Sequence, residues 1–157
     1  MITLKEGDKA PAIKAVNQHG ETIELKNFIG KKVILYFYPK DNTPGCTTEA
    51  SNLRDNYQSL VQEGYEVLGV SIDNEQSHQK FIAKFELPFD LLADEDKKIV
   101  TDYGVWVEKN MYGKKYMGTA RTTFIIDEKG IIQHIIKKVD NKNASQQIRD
   151  LAGERKA

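Results

Sequence analysis

"KKVILYFYPKDNTPGCTTEASNLRD", residues 31–55, decides the fold. Its first part is apolar at successive positions from Val33 to Tyr38, so both faces of the strand it forms must be covered, as at the centre of an α/β sheet. Pro39 ends that strand. From Cys46 onward the apolar residues fall at Ala50, Leu53, Tyr57, Leu60 and Val61, a helical stripe that predicts a single helix running to Gly64. "YEVLGVSID", residues 65–73, is a second buried strand. Strand, helix and strand in that order make a βαβ unit, whose right-handed crossover sets the two strands parallel.

The flanking segments extend the same sheet. Ile13 and Ala15 before "NQHGE", with Ile23 and Leu25 after it, predict a hairpin that forms an N-terminal extension. "NEQSHQKFIAKFE" predicts a second helix with Phe81, Ile82 and Phe85 inward, ended by "LPFDLLAD". A short helix follows near Asp96–Tyr103. "TTFIIDEKGIIQHIIKK" is two apolar runs about a "DEKG" turn, hence antiparallel strands, and a last helix is expected from about Asn143 to Leu151. The fold class is α/β: a mixed central β-sheet with helices on both faces and an N-terminal β-hairpin extension. No repeat or linker divides the chain, so residues 1–157 are expected to form one domain.

Composition narrows the function classes. Twenty-three basic and 23 acidic residues balance to zero, which gives no field to attract nucleic acid or an anionic membrane. The start "MITLKEGDKAP" lacks the apolar length of a signal peptide or span, and a mean hydropathy of -0.55 suits a soluble, cytoplasmic protein. One cysteine closes no intrachain bridge, and three scattered histidines, His19, His78 and His134, suggest neither a metal site nor a cofactor ligand set.

That cysteine is the candidate reactive group. A lone cysteine is commonly a small core hydrophobe. Cys46, however, follows the C-terminal end of a central strand and opens a helix, where α/β sheets place their ligands and where free N–H groups and the helix dipole favour a thiolate. The turn "PKDNTPG" can converge N–H groups on one point, with the Thr43 hydroxyl close by.

Pro39, Thr43 and Cys46 spell P-x-x-x-T-x-x-C, and with this pattern the chain resembles the peroxiredoxins. It is most similar to the bacterioferritin comigratory protein (PrxQ) group. "GDKAP", "YPKDNTPGCT", "LRD" at Leu53–Asp55, "YGVW" at Tyr103–Trp106, "MYGKKYMG" at Met111–Gly118 and "RTTFIID" from Arg121 follow that pattern in order over nearly the whole chain. The resemblance implies a thioredoxin-like fold and reduction of hydrogen peroxide or an alkyl hydroperoxide, with Cys46 as peroxidatic cysteine and Arg121 as the active-site arginine. It also implies Thr43 and the N–H groups of Gly45 and Cys46 around the breaking O–O bond, Pro39 shaping the pocket, and Glu49 orienting Arg121. Read without the family, Glu49 is a favourable first-turn acid, and Lys109, Lys114 and Lys115 form a basic, solvated loop.

One departure matters. Many members of this group carry a resolving cysteine five residues after the peroxidatic one, and here that position is Ser51. Either the chain is a one-cysteine enzyme recycled by an outside thiol, thioredoxin-like or of low molecular weight, or Ser51 replaces a cysteine. A monomer or weak dimer is expected. Two rival readings are a Cys–His hydrolase, for which none of the histidines has a local motif, and a catalytically silent thioredoxin-fold binding or holdase module. A dithiol oxidoreductase is excluded because C-x-x-C needs a second cysteine.

Overall fold

The computed structural model describes residues 3–154; Met1, Ile2 and residues 155–157 of the expected domain lie outside the described residues. Strand β3 (Lys32–Phe37) is buried on both faces, as its continuous apolar run requires, with Ile34, Tyr36 and Tyr38 in one core and Val33, Leu35 and Phe37 in the other. It pairs in parallel with β4 (Tyr65–Ser71) and antiparallel with β8 (Thr122–Ile126). Adding β1 (Lys14–Val16), β2 (Thr22–Glu24), β5 (Asp90–Ala93) and β9 (Ile132–Ile136) gives one seven-stranded mixed sheet in the order β2-β1-β5-β4-β3-β8-β9.

The helical stripe after Cys46 is broken where one helix was expected. Helix α1 runs Pro44–Asp55 and α2 runs Tyr57–Gln62, separated by Asn56 at φ −107°, ψ 3°. The Asn56 side-chain amide donates to the Asn52 carbonyl, the same oxygen that its own backbone N–H reaches, so side chain and ladder share one acceptor at the break. Helices α1, α2, α3 (Glu75–Phe85) and α5 (Ala144–Glu154) supply one core through Ala50, Leu53, Leu60, Phe81 and Ile148. The other core is closed by the short α4 (Lys98–Asp102), a 3-10 turn at Leu25–Phe28, and Ala10 and Ile13.

The N-terminal hairpin extension forms as expected, and Val16 of β1 pairs with Ala93 of β5, which makes the hairpin one edge of the sheet. Two expectations need correction. "LPFDLLAD" does more than end a helix: Asp90–Ala93 is a strand parallel to β4, too short to declare itself in an apolar pattern. The expected basic loop is a two-stranded ribbon, β6 (Trp106–Met111) with β7 (Lys114–Thr119). Its charges hide the strand period, although Tyr112 and Gly113, at φ 53° and 81°, form the paired left-handed turn that hairpins favour.

Gly69, in the middle of β4, connects this frame to the site. A Cβ there would lie 2.6 Å from Leu91 Cδ2 and 2.9 Å from Tyr36 Cζ. Its bare backbone lets the Tyr36 ring, stacked on Tyr38 at 5.4 Å between centroids, pack against the sheet in the same core as Cys46.

Candidate active site

Helix α1 starts where sequence chemistry allows: Thr43 is extended at φ −100°, ψ 157°, and Pro44 at the first helical position has no N–H to leave unbonded. The Thr43 side chain makes no cap; its hydroxyl donates to the Lys40 carbonyl at 2.9 Å. With its proton given to Lys40, the hydroxyl oxygen is left as an acceptor. Asn42 takes φ 59° in the loop, a conformation asparagine tolerates. The first-turn N–H groups, including those of Gly45 and Cys46, have no acceptor within the helix.

Cys46 is 1 % exposed and lies under the guanidinium of Arg121. Arg121, just before β8, donates through Nη2 to Cys46 Sγ at 3.2 Å and through Nη1 to Glu49 Oε1 at 2.8 Å. One fork therefore holds the sulfur and a carboxylate together, a task a lysine's point charge cannot share. Burial opposes the charge on Arg121, but Cys46 and Glu49 beside it outweigh that and raise its pKa further. Glu49 is almost fully buried; burial raises its pKa to about 7 against the lowering pull of Arg121. Gly45 is a close-approach glycine, since a Cβ would meet Arg121 Nη2 at 3.1 Å and Asn141 Nδ2 at 3.2 Å.

Of the expected residues, the structure thus brings Cys46, Gly45, Arg121 and Glu49 together, while Thr43 and Pro39 belong to the loop leading into them. Pro39 is half-buried, two residues past the end of β3.

Several residues at the site carry no sequence signal. The loop is pinned from below by Asp41, whose carboxylate accepts from Tyr38 Oη at 2.6 Å and Ser77 Oγ at 2.8 Å and faces His78 Nδ1 at 2.7 Å. His78 Nε2 lies 2.9 Å from the Leu92 carbonyl, which can only accept, so this nitrogen carries a hydrogen. The Asp41 N–H donates to Asp73, fixing the loop to the end of β4. Lys109 is half-buried on β6; burial and the positive field of Arg121 lower its pKa and Cys46 opposes them, so it is not part of a solvated face. Lys114 and Lys115 are exposed, as expected.

Behind the site, the Asn52 side chain donates to the Lys142 carbonyl at 2.8 Å and accepts from the Ser145 N–H at 2.9 Å, clamping α1 to the start of α5. Arg149 of α5 reaches Asn56, Ser59 and Glu63, so α2 is held by the same helix.

The three histidines leave the hydrolase reading without a base. His78 is engaged by Asp41 and Leu92, His134 lies 3.3 Å from Glu6, and His19 sits in the exposed hairpin turn.

A thioredoxin-like sheet that carries a lone cysteine at a helix start, under an arginine fork, defines a thiol peroxidase of the peroxiredoxin class. The chain belongs to the AhpC/TSA family, whose pattern matches residues 6–135. It is 49 % identical over 138 residues to the putative peroxiredoxin bcp of Coxiella burnetii, covering 88 % of this chain and 91 % of that one. Peroxiredoxin Bcp of Bacillus subtilis is 42 % identical over 155 residues, with 96 % and 99 % covered. A bacterioferritin comigratory protein from Xanthomonas campestris, studied for alkyl peroxide reduction, superposes with a TM-score of 0.84 at 33 % identity over 90 % of this chain and 91 % of that one. A PrxQ variant from Xylella fastidiosa gives 0.90 at 29 % identity over 99 % of both. Among the described residues no helix is long and apolar enough to cross a membrane.

Proposed function

We propose that Cys46 is the peroxidatic nucleophile of a one-cysteine cycle in which α1 stays folded and an external thiol completes turnover. The observation that supports it is the Arg121 fork, with donors on both Cys46 Sγ and Glu49. The Cys46 thiolate attacks one oxygen of the peroxide, the O–O bond breaks, and water or an alcohol leaves after taking a proton. Sulfur is oxidised by two electrons to the sulfenic acid and the peroxide is reduced by two. Arg121 holds the thiolate and the peroxide oxygens as charge moves onto the leaving oxygen, with the N–H groups of Gly45 and Cys46 beside it. Thr43 accepts the hydrogen of the incoming hydroperoxide. Pro39 shields the sulfur from water, and Glu49 orients the guanidinium.

A thiol then attacks the sulfenic sulfur, water leaves, and a second thiol reduces the mixed disulfide. Ser51 offers no sulfur for that step, so the thiol comes from a thioredoxin-like protein or a small molecule. The reducing cytoplasm supplies both and suits an unpaired cysteine. The chain acts as one domain, as a monomer or weak dimer.

Intact-mass analysis after one equivalent of peroxide tests this reading. One added oxygen, captured by a sulfenic-acid trap and lost in Cys46→Ser, is the expected result. Peroxide consumption that persists in Cys46→Ser refutes it.

A further inference from the structure

The sheet carries a second concavity, diagonally opposite Cys46. Cys46 lies past the C-terminal end of β3 in one core, whereas this cavity of about 600 Å³ opens beside Val33, at the start of β3, in the other. Its floor is the buried side chains of Ile13, Leu25, Val33, Ile99 and Ile126. Ile29, 60 % exposed, stands at its edge. Such a floor offers an apolar body a place out of water and offers a sugar or base no hydrogen-bond partner.

The mouth is charged. Lys9, Lys14, Lys26, Lys31, Lys98 and Lys129 line it against two carboxylates, Glu24 and Asp127, although the chain as a whole has no net charge. Lys26 lies 3.7 Å from Glu24, and Lys98 pairs with Asp102 at 2.7 Å. Asp127 Oδ1 is occupied by the N–H groups of Lys129 and Ile131. Among the described residues, Lys9, Lys14, Lys31 and Lys129 have no carboxylate at ion-pair distance, so four lysines without a carboxylate partner line an apolar cavity.

We propose that this cavity binds a single-chain amphipathic carboxylate, its hydrocarbon tail on the Ile13–Ile126 floor and its head among these lysines. Apolar walls alone would take any greasy molecule; the surplus of cations at the mouth selects the anionic one. The site is separate from the peroxide chemistry, because none of the lining residues shares the core of Cys46 or the hydrogen bonds of Arg121 to Cys46 and Glu49.

Titration calorimetry with octanoate, decanoate and dodecanoate, each below its micelle concentration, tests the proposal. One site is expected, tightening about fourfold for each added methylene until the floor is covered. Decanol should bind at least tenfold more weakly, decyltrimethylammonium should not bind, and added salt should weaken decanoate. The exposed double reversal Lys9→Glu/Lys129→Glu should weaken decanoate at least tenfold, and Ala12→Trp, at an exposed lining position, should block the entrance. Both variants should keep the parent's peroxide rate. Methyl resonances of Ile13, Ile99 and Ile126 should shift with decanoate. The proposal is overturned if decanoate does not bind, if decanol binds equally well, if neither variant weakens binding, or if association is seen only with micelles or anionic vesicles.

Discussion

Ser51→Cys restores a thiol five residues beyond Cys46, and the structure says why that thiol would not react at once. In a regular helix, residues five apart point about 140° away from each other and their Cα atoms lie about 8.6 Å apart. A disulfide needs about 4.4–6.8 Å, so α1 must open around Cys46 and Ser51. Asn52 is the clamp against that opening, with one hydrogen bond to the Lys142 carbonyl and one from the Ser145 N–H. At roughly 0.5–1 kcal/mol net for each of these partly exposed bonds, Asn52→Ala should favour opening by about 1–2 kcal/mol. If opening limits closure of the disulfide, Ser51→Cys/Asn52→Ala should form it roughly five- to thirtyfold faster than Ser51→Cys alone. The assay is a quenched time course after one equivalent of peroxide, followed by intact mass. Sulfenic acid is one oxygen heavier than the reduced chain and the disulfide is two hydrogens lighter. Equal rates in the two variants would show that Asn52 does not hold α1 closed and would sink the reasoning.

The arginine fork predicts that Arg121→Lys, which keeps the charge but cannot reach both Cys46 and Glu49, slows the peroxide reaction roughly ten- to a thousandfold, the scale of one lost transition-state donor. A stopped-flow rate equal to the parent's would make Arg121 a structural charge. Glu49 gives a pH dependence of defined sign. Its pKa rises on folding from 4.5 to about 7 through burial, so its contribution to stability is complete below pH 4.5 and is lost as the pH climbs to about 7. Urea titrations should therefore show the parent losing on the order of 3 kcal/mol relative to Glu49→Gln across that window; a difference that stays flat with pH would contradict it. His78→Leu leaves the Asp41 carboxylate buried without its ring partner and should destabilise the fold by about 1–3 kcal/mol. A loss under about 1 kcal/mol in the same titration would mean that the pair is not holding the loop.

Residues whose structural role is set by their immediate neighbours were legible in the sequence. The double-faced burial of Val33–Tyr38 follows from an uninterrupted apolar run, and the parallel pairing of β3 with β4 follows from the crossover rule. Cys46 stood out because a strand end, a turn and a helix start are all local signals. The failures have a common cause in long-range partners. Asp90–Ala93 is a strand because β4 lies beside it, and the β6–β7 ribbon exists through cross-strand pairing that alternating charges conceal. Arg121 was found through the family resemblance alone, since nothing around it marks a residue that reaches Cys46. His78 was placed on the right helix, but its partners Asp41 and Leu92 are 37 and 14 residues away, and no local pattern encodes them. The break at Asn56 is a local change of backbone dihedrals, which an apolar stripe does not register.

The chain order of the Arg121 fork and the Asn52 clamp bears on synthesis. Arg121 follows Cys46 by 75 residues, and Ser145 follows Asn52 by 93. At roughly 5–20 residues per second, the ribosome releases the cysteine about 4–15 s before the arginine, and the helix that splints α1 later still. A growing chain therefore carries Cys46 with no guanidinium over it until β8 has been made. With Cys46 as the nucleophile proposed above, peroxide chemistry is withheld until that strand folds, which protects an unfinished chain from oxidation at the sulfur its function requires.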